Sequence, residues 1–322
     1  MATKERSDYS RRADNKLLMS LIYSIDLNRV VLLAMNNTKQ LKDVVVIYHA
    51  DCKDGFGAAY AAWKEFGDIA SYIPRRTQLP PPEGLVGKEV YIVDLSYDRA
   101  ILEDLLAKNQ SLIVIDHHHS AEADVKAFPQ NVFDLEHSGA VLTWQYFHPD
   151  KPVPDLLKYV EDHDLWRFAL PDNMAFNAAL RQYPHDFAAW DKLINDLQDT
   201  EFYQQFLAKG QLIVDFEDSL IDRILRFKHQ VVLQDMTLFA VNASRIYRSI
   251  LGNKLAILNE KAGLPAIGIV YYYYDGRVHI SLRSKGEYDV SKIAESYGGG
   301  GHKNAASFSV KNFSALPFTF ID

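Results

Sequence analysis

The sequence is almost devoid of cysteine. Cys52 is the single cysteine among 322 residues, so an intrachain disulfide framework is excluded. One thiol fits a reducing compartment, and we find no secretory signal. The apolar stretch 16–35 is interrupted by Asp26, Asn28 and Arg29, which leaves no segment long enough to span a bilayer. We therefore expect a cytoplasmic protein without membrane association.

The sequence also lacks an excess of basic residues. Lysine and arginine number 35 against 42 acidic residues, for a formal net charge of −7. A long surface that follows nucleic-acid phosphates normally requires a basic excess, so none is expected here. A short nucleotide ligand remains compatible, because a bound metal can offset local acidity. The length favours two domains.

Three apolar, β-rich runs end abruptly in acids and imidazoles. The runs cover residues 44–48, 90–93 and 112–115. Such runs predict buried parallel strands, and the carboxyl ends of parallel strands share one edge of a sheet. We therefore expect the polar residues that follow them to converge. In chain order these are His49, Asp51 and Asp54; then Asp94; then Asp116, His117, His118 and His119.

The alternation of strand and helix patterns predicts an α/β protein. We expect a doubly wound parallel-sheet domain over 44–185 and a smaller α/β domain over 231–322. A helical connector over 186–230 would join them, and an N-terminal helical extension would cover 1–43.

Aspartate and histidine without cysteine suit a divalent metal, and a mixed carboxylate and imidazole shell favours Mn²⁺ over Mg²⁺ or another ion. Asp94 stands alone after its strand and is the candidate bridging ligand, although a lone aspartate there is also typical of a helix N-cap. His117 and His118 are neighbours, so one can bind metal while the other contacts a phosphate. The number of candidate ligands permits two ions: His49, Asp51, Asp54, Asp94, His117 and Asp162.

Four glycines, Gly298 to Gly301, precede His302 near the end of the chain. Such a run predicts a loop whose backbone N–H groups can approach an anion closely. By itself this pattern is weak evidence for a binding site.

Taken together, these motifs resemble the DHH phosphoesterase superfamily, in the subgroup with a C-terminal DHHA1 domain that includes RecJ-like and nanoRNase-like enzymes. The resemblance covers roughly residues 44–310. It rests on motifs that occur in the family's order: the first motif 49–55, Val93-Asp94, Asp116-His117-His118, Val160-Glu161-Asp162, and Gly299-Gly300-Gly301-His302 followed by Asn304-Ala305-Ala306.

The resemblance implies a two-domain enzyme with two metal ions, usually Mn²⁺, in its N-terminal domain. It implies that His118 contacts the scissile phosphate and that Asp116 orients the site. In the C-terminal domain it implies that Gly300, Gly301 and His302 line the substrate pocket, with Arg283 as a phosphate partner. The implied metal ligands are His49, Asp54, Asp94, His117 and Asp162.

The sequence departs from the family pattern in its first and fourth motifs. Asp51 and Asp54 are separated by two residues, whereas one residue separates the two aspartates in many members. The role of Asp51 as a direct ligand therefore stays open. Asp164, two residues beyond Asp162, is an alternative ligand from the fourth motif.

Among the substrates of such enzymes, short oligoribonucleotides or linear dinucleotides such as pGpG fit this acidic chain best. Nucleoside monophosphates would be the products. The alternatives are a phosphatase acting on a 3′,5′-bisphosphorylated nucleotide (pAp), a single-strand DNA exonuclease, and a non-catalytic nucleotide-binding regulator. The sequence leaves the oligomeric state open, a homodimer included.

Overall fold

The computed structural model describes residues 41–77 and 79–321, and it divides the chain into two units. The first unit comprises the described parts of Met1–Asn173 and Tyr183–Gln198. The second comprises Met174–Gln182 and the described part of Asp199–Asp322. Most of the predicted N-terminal helical extension, residues 1–40, lies outside the described residues.

The described part of the first unit contains a parallel sheet with the strand order β2-β1-β3-β4-β5. Its strands are rich in β-branched residues, and the central ones are buried on both faces, as parallel sheets require. The five strands are β1 (Val44–His49), β2 (Ala70–Arg75), β3 (Glu89–Val93), β4 (Ser111–Asp116) and β5 (Asn131–Phe133).

Helices cover both faces of this sheet. On one face, Leu102 and Val125 pack against alternate residues of the central strands; on the other, Ala58 and Leu142 do so. This confirms the predicted doubly wound α/β architecture. The helices, in chain order, are α1 (Lys53–Phe66), α2 (Arg99–Lys108), α3 (Glu122–Ala127), α4 (Gly139–Phe147), α5 (Asp155–Asp164), α6 (Asn173–Leu180), which passes into the second unit, and α7 (Phe187–Asp196).

The register of the three central strands aligns their carboxyl ends. Tyr48 on β1 is opposite Val93 on β3, and Val93 is opposite Ile115 on β4. The next residue along each strand is therefore at the same level of the sheet edge. Those residues are His49, Asp94 and Asp116.

The described part of the second unit contains a mixed sheet with the order β10-β11-β9-β8-β7-β6-β12. Only the β7–β8 pair is parallel among these described strands. The elements are α8 (Thr200–Leu225), β6 (His229–Leu233), β7 (Met236–Asn242), α9 (Arg248–Lys261), β8 (Ile267–Tyr274), β9 (Arg277–Ser284), α10 (Val290–Glu295), β10 (Gly300–His302), β11 (Ala305–Val310) and β12 (Thr319–Phe320).

Helix α9 packs closely on one face of this sheet. A side chain at Gly268 on β8 would place its Cβ 2.0 Å from the carbonyl oxygen of Gly252 on α9. The two glycines therefore allow the helix backbone to approach the strand. Val270, Leu251 and Leu255 complete the apolar contact.

The unit boundaries fall within the predicted connector. Helix α7 belongs to the first unit and α8 to the second, while α6 passes from one unit to the other. The predicted glycine-rich loop also needs correction, because Gly300–His302 form strand β10 against β11. Among residues 41–77 and 79–321, no helix combines the length and apolarity needed to span a membrane.

Candidate metal centre and active site

Asp94 lies at the centre of the candidate site. It follows β3 directly, is fully buried and has a φ of +54°, a conformation uncommon outside glycine. Its Oδ1 lies 3.1 Å from Nε2 of His117, and its Oδ2 lies 3.4 Å from Nδ1 of His49. The two carboxylate oxygens thus face imidazoles from two different strands. Backbone strain of this kind is often found at functional sites.

Two groups of potential metal ligands meet at this point. We call His49, Asp94 and His118 the first cluster, and Asp54, His117 and Asp164 the second cluster. Within each cluster one ligand atom per residue lies within 4.8 Å of the others.

His117 connects the two clusters through Asp94. Its Nε2 lies 3.5 Å from Oδ2 of Asp54 and 3.6 Å from Oδ2 of Asp164, in addition to the 3.1 Å separation from Asp94. Asp94 is therefore placed where a ligand shared by two ions would lie, and not at a helix N-cap, since Asp98 precedes α2.

The donor set fits a divalent cation. Nδ1 of His49 and Oδ2 of Asp94 are buried, and neither has a hydrogen-bond partner among the described residues. Buried polar atoms normally have partners, so two facing atoms without one indicate space for a shared cation. Carboxylate and imidazole donors suit Mn²⁺, Mg²⁺, Fe²⁺ or Zn²⁺. The site therefore has the ligands to bind metal.

The clusters concentrate negative charge in a buried place. Burial, followed by the charges of Asp94 and Asp164, raises the pKa of Asp54 well above its ordinary value. Burial alone would lower the pKa of His117, but its hydrogen bond with Asp94 and the surrounding carboxylates outweigh burial and raise that pKa to about 9. The imidazole of His117 thus carries a proton at neutral pH in the metal-free protein, where it offsets the acids.

The amino end of α4 holds Asp54. The backbone amides of Gly139 and Ala140 donate to its two carboxylate oxygens at 2.7 and 3.1 Å. A helix amino end stabilises negative charge, so these contacts orient Asp54 towards His117. Gly139 is required because a Cβ there would lie 2.5 Å from Cβ of Asp94.

Gly55 has a similar steric role in the first motif. A Cβ at this position would lie 2.2 Å from the carbonyl oxygen of His49 and 2.8 Å from its Cβ. The Asp-Gly pair thus lets α1 begin directly beneath the histidine that ends β1. The motif combines a ligand with the space for its neighbour.

Asp116 positions the two histidines that follow it. Its Oδ1 lies 2.7 Å from Nδ1 of His118 and accepts from the backbone amides of His117 and His118 at 2.8 and 3.3 Å. Asp116 is fully buried, whereas the His118 side chain is about one third exposed. His119 points elsewhere: its ring pairs with Glu122 at 3.1 Å and is 74% exposed.

Two predicted ligands lie outside both clusters. Asp51 is exposed and pairs with Arg76 at 2.5 Å. Asp162 accepts from the backbone amides of Ala169 and Leu170 at 2.8 and 3.1 Å and from Nδ2 of Asn173 at 2.6 Å. Both oxygens of Asp162 are therefore committed to the turn after α5.

Asp164 takes the place predicted for Asp162. It ends α5, two residues further on, and its carboxylate faces His117. The structure thus replaces Asp162 with Asp164 and omits Asp51 from the ligand set. The sequence signal for this was the acid-rich end of α5, which could not by itself distinguish its two aspartates.

A cavity of about 400 Å³ adjoins Asp116 and His118. It lies at the carboxyl edge of the first sheet, and a volume of this size is sufficient for a small-molecule ligand. The hydroxyl of Tyr97 is buried there without a hydrogen-bond partner in the described residues. Its polar lining also includes Ser96, Asp98, Ser120 and Asp124.

The predicted substrate-binding residues lie together in the second unit. Arg283 on β9 is opposite Ala305 on β11, which in turn is opposite His302 on β10. The Arg283 guanidinium donates to the hydroxyls of Ser281 and Ser249 at 3.1 and 2.8 Å.

The glycines of β10 have different constraints. Gly301 has a φ of +148°, and a Cβ there would lie 2.5 Å from the carbonyl oxygen of Ala305. Gly300 has nothing within 4 Å of such a Cβ. Close strand pairing therefore explains Gly301, while Gly300 leaves open space beside the backbone.

The fold and the site define an α/β protein of the phosphoesterase type, with metal-ligating groups at the carboxyl edge of a parallel sheet and a second, mixed sheet. Residues 235–318 match the family model of the DHHA1 domain. The chain is therefore a DHH superfamily phosphoesterase with a C-terminal DHHA1 domain, as its motifs predict.

Two curated proteins are similar in sequence. The uncharacterized protein R106 of Acanthamoeba polyphaga mimivirus is 29% identical over 300 residues, which cover 86% of this chain and 70% of that protein. Oligoribonuclease NrnB of Bacillus subtilis (strain 168) is 34% identical over 116 residues, 35% of this chain and 27% of that protein.

A solved structure of a DHH domain, described as belonging to a member of a family of ribosomal proteins, shares the fold. The TM-score is 0.56 at 15% sequence identity, with 87% of this chain and 83% of that chain covered.

Proposed function

We propose that the protein is a metal-dependent phosphodiesterase that hydrolyses short oligoribonucleotides or linear dinucleotides, such as pGpG, to nucleoside monophosphates, with two Mn²⁺ ions as its cofactor. The observation that carries this proposal is the pair of three-residue clusters joined at Asp94. Paired ions suit phosphodiester hydrolysis because they supply an activated water and offset the charge of the phosphoryl oxygens.

The residues of the chain have distinct roles in this proposal. Asp94 would contribute one oxygen to each ion, with His49 on one side and Asp54, His117 and Asp164 on the other. His118, held by Asp116, would donate a hydrogen bond to a non-bridging oxygen of the scissile phosphate. Burial lowers the pKa of His118, but the hydrogen bond and charge of Asp116 outweigh burial and raise it, which favours the protonated donor.

Two further observations support a short RNA substrate. The acidic chain, with a net charge of −7, does not favour long nucleic acids. The relative from Bacillus subtilis bears the name oligoribonuclease, although the match covers only 116 residues.

A substrate panel with the full chain and Mn²⁺ tests the proposal. The panel contains pGpG, RNA of three to seven nucleotides, single-stranded DNA and pAp, with products separated by chromatography. We expect nucleoside monophosphates from pGpG and from the RNA, and no orthophosphate from pAp. Release of phosphate from pAp, or uncut RNA and pGpG, would overturn the proposal.

Matched variants at neighbouring positions connect the activity to the site. His118→Gln should lose most of the hydrolysis, whereas His119→Gln should retain it, because His119 is exposed and pairs with Glu122. Equal activity of the two variants would contradict the assigned role of His118.

A further inference from the structure

One face of the second sheet carries a continuous group of rings and guanidinium groups. Tyr272 is opposite His279, and Tyr274 is opposite Arg277, in the β8–β9 pair. Directly paired residues of antiparallel strands project from the same face. We call the following six residues the basic aromatic face: Arg245, Tyr272, Tyr274, Arg277, His279 and Arg283.

The rings of this face contact one another. Tyr272 and His279 have ring centroids 5.5 Å apart at an interplanar angle of 9°, and the His279 and Tyr274 centroids are 6.0 Å apart. The guanidinium of Arg245 lies 5.1 Å from the centre of the Tyr274 ring. Tyr274 is nonetheless 51% exposed. The group therefore presents flat surfaces to solvent.

The charge of the face is opposite to that of the chain. On strands β8, β9 and β11 this face has arginines at positions 277 and 283 and no carboxylate among its described residues. The opposing positions of β11 are Ala305, Ser307 and Ser309. Burial, and then the charge of nearby Arg248, lower the pKa of Arg283. Neighbouring guanidinium groups of this kind favour an anionic ligand.

Cross-strand packing explains only part of the arrangement. An aromatic pair such as Tyr272 and His279 stabilises a hairpin by about 0.2–1 kcal/mol without any arginine. Ile246, beside Arg245, is also 80% exposed, which hairpin packing does not require. Exposed rings interspersed with arginines are typical of surfaces that bind single-stranded nucleic acids, where bases stack and phosphates pair.

We infer that the basic aromatic face binds single-stranded oligoribonucleotides, with bases stacked on Tyr272, Tyr274 and His279 and phosphates paired with Arg245 and Arg277. The face would thereby favour substrates longer than a dinucleotide. This inference rests on the proposed function, which it extends to chain length. A strand places alternate residues about 6.6 Å apart, a spacing that lets separate bases contact Tyr272 and Tyr274.

The first test measures binding without catalysis. The full-length protein is titrated with a fluorescent seven-nucleotide RNA in EDTA, and the Tyr272→Ala/Tyr274→Ala variant is compared with Tyr273→Ala. Tyr273 is a matched control, because it lies between the two, is 62% exposed and projects from the opposite face towards Phe313. We expect the double variant to bind about 10- to 100-fold more weakly, while the control binds as the unaltered protein does.

A second measurement uses Arg245→Ala, which alters no strand residue. This variant should bind the same RNA more weakly and should reduce the slope of log Kd against log salt by about 0.7. It gives an independent result if the tyrosine variant fails to fold, as judged by circular dichroism. A parallel titration with DNA of the same sequence shows whether the face distinguishes the two sugars.

Turnover separates this inference from the proposed function. The double tyrosine variant should have a raised KM for the seven-nucleotide RNA and an unchanged KM for pGpG. No binding by the unaltered protein, or equal binding by the double variant and Tyr273→Ala, overturns the inference even if RNA is hydrolysed. Intact binding without hydrolysis of any RNA or pGpG overturns the proposed function alone.

Discussion

The ring nitrogen Nδ1 of His118 lies 2.7 Å from Oδ1 of Asp116, and the same oxygen accepts both following backbone amides. One buried carboxylate thus fixes the ring and the backbone of the residues after β4. The Asp-His-His order has a physical reason: the aspartate orients, the first histidine reaches the acids, and the second faces partly towards solvent. Only residues adjacent in sequence could be held by a single oxygen in this way.

Asp116→Asn should impair turnover while leaving metal binding largely intact. The amide keeps the side-chain shape but removes the charge that orients His118 and raises its pKa. We expect kcat to fall about 10- to 100-fold, a typical loss when a group that orients a metal-site residue is changed. Steady-state kinetics together with Mn²⁺ titration checks this. A variant that loses both Mn²⁺ sites would show that Asp116 acts as a ligand instead.

The two acids at the end of α5 should respond differently to the same substitution. Asp164→Asn should reduce Mn²⁺ stoichiometry and activity, because Asp164 faces His117. Asp162→Asn should keep the Mn²⁺ stoichiometry but lower the free energy of unfolding by about 1–3 kcal/mol, since Asp162 accepts three buried hydrogen bonds. Calorimetric metal titration and denaturant unfolding distinguish them. The reverse pattern would restore Asp162 as the ligand.

Gly139→Ala should disrupt the metal centre through sterics alone. The added Cβ would lie 2.5 Å from Cβ and 2.8 Å from Oδ1 of Asp94, so the carboxylate or α4 must shift. Because alanine otherwise suits a helix amino end, circular dichroism should remain unchanged while Mn²⁺ affinity falls at least about tenfold. Retention of full affinity would show that Asp94 tolerates displacement and is not the shared ligand.

Much of the first unit follows from local sequence. The runs before His49, Asp94 and Asp116 are continuous and apolar, so they predict buried strands, and the sheet register then aligns their ends. The short strands β5 and β10 escape prediction because three residues give no periodicity, and the glycines of β10 favour a loop by composition. Pairing with β11 decides the conformation there.

The site was harder to predict where the side chain's direction matters. Asp51 and Asp54 belong to one motif, but Asp51 precedes α1 with a φ of +59° and reaches Arg76, whereas Asp54 lies inside the helix beneath α4. Asp162 and Asp164 differ by two helical positions, which rotates them about 200° apart. Motif spacing identifies such pairs, but only the packing of the helix selects the member that faces the metal centre.

The metal-free and metal-bound proteins should respond in opposite ways to pH. The pKa of His117 is raised from 6.5 to about 9 by Asp94 and the neighbouring acids in the metal-free fold. Its protonated form therefore contributes stability that is fully present below pH 6.5 and is lost as the pH rises through about 9. A metal ligand must be deprotonated, so Mn²⁺ binding should release this proton and strengthen about tenfold per pH unit below about 9. Melting temperatures from about pH 6 to 9, with and without Mn²⁺, should thus diverge, with the apo value falling and the metal-dependent increase growing. Calorimetric titrations in two buffers of different ionisation enthalpy count the released proton. An affinity that does not change across that pH range, with no proton released, would exclude His117 as a ligand.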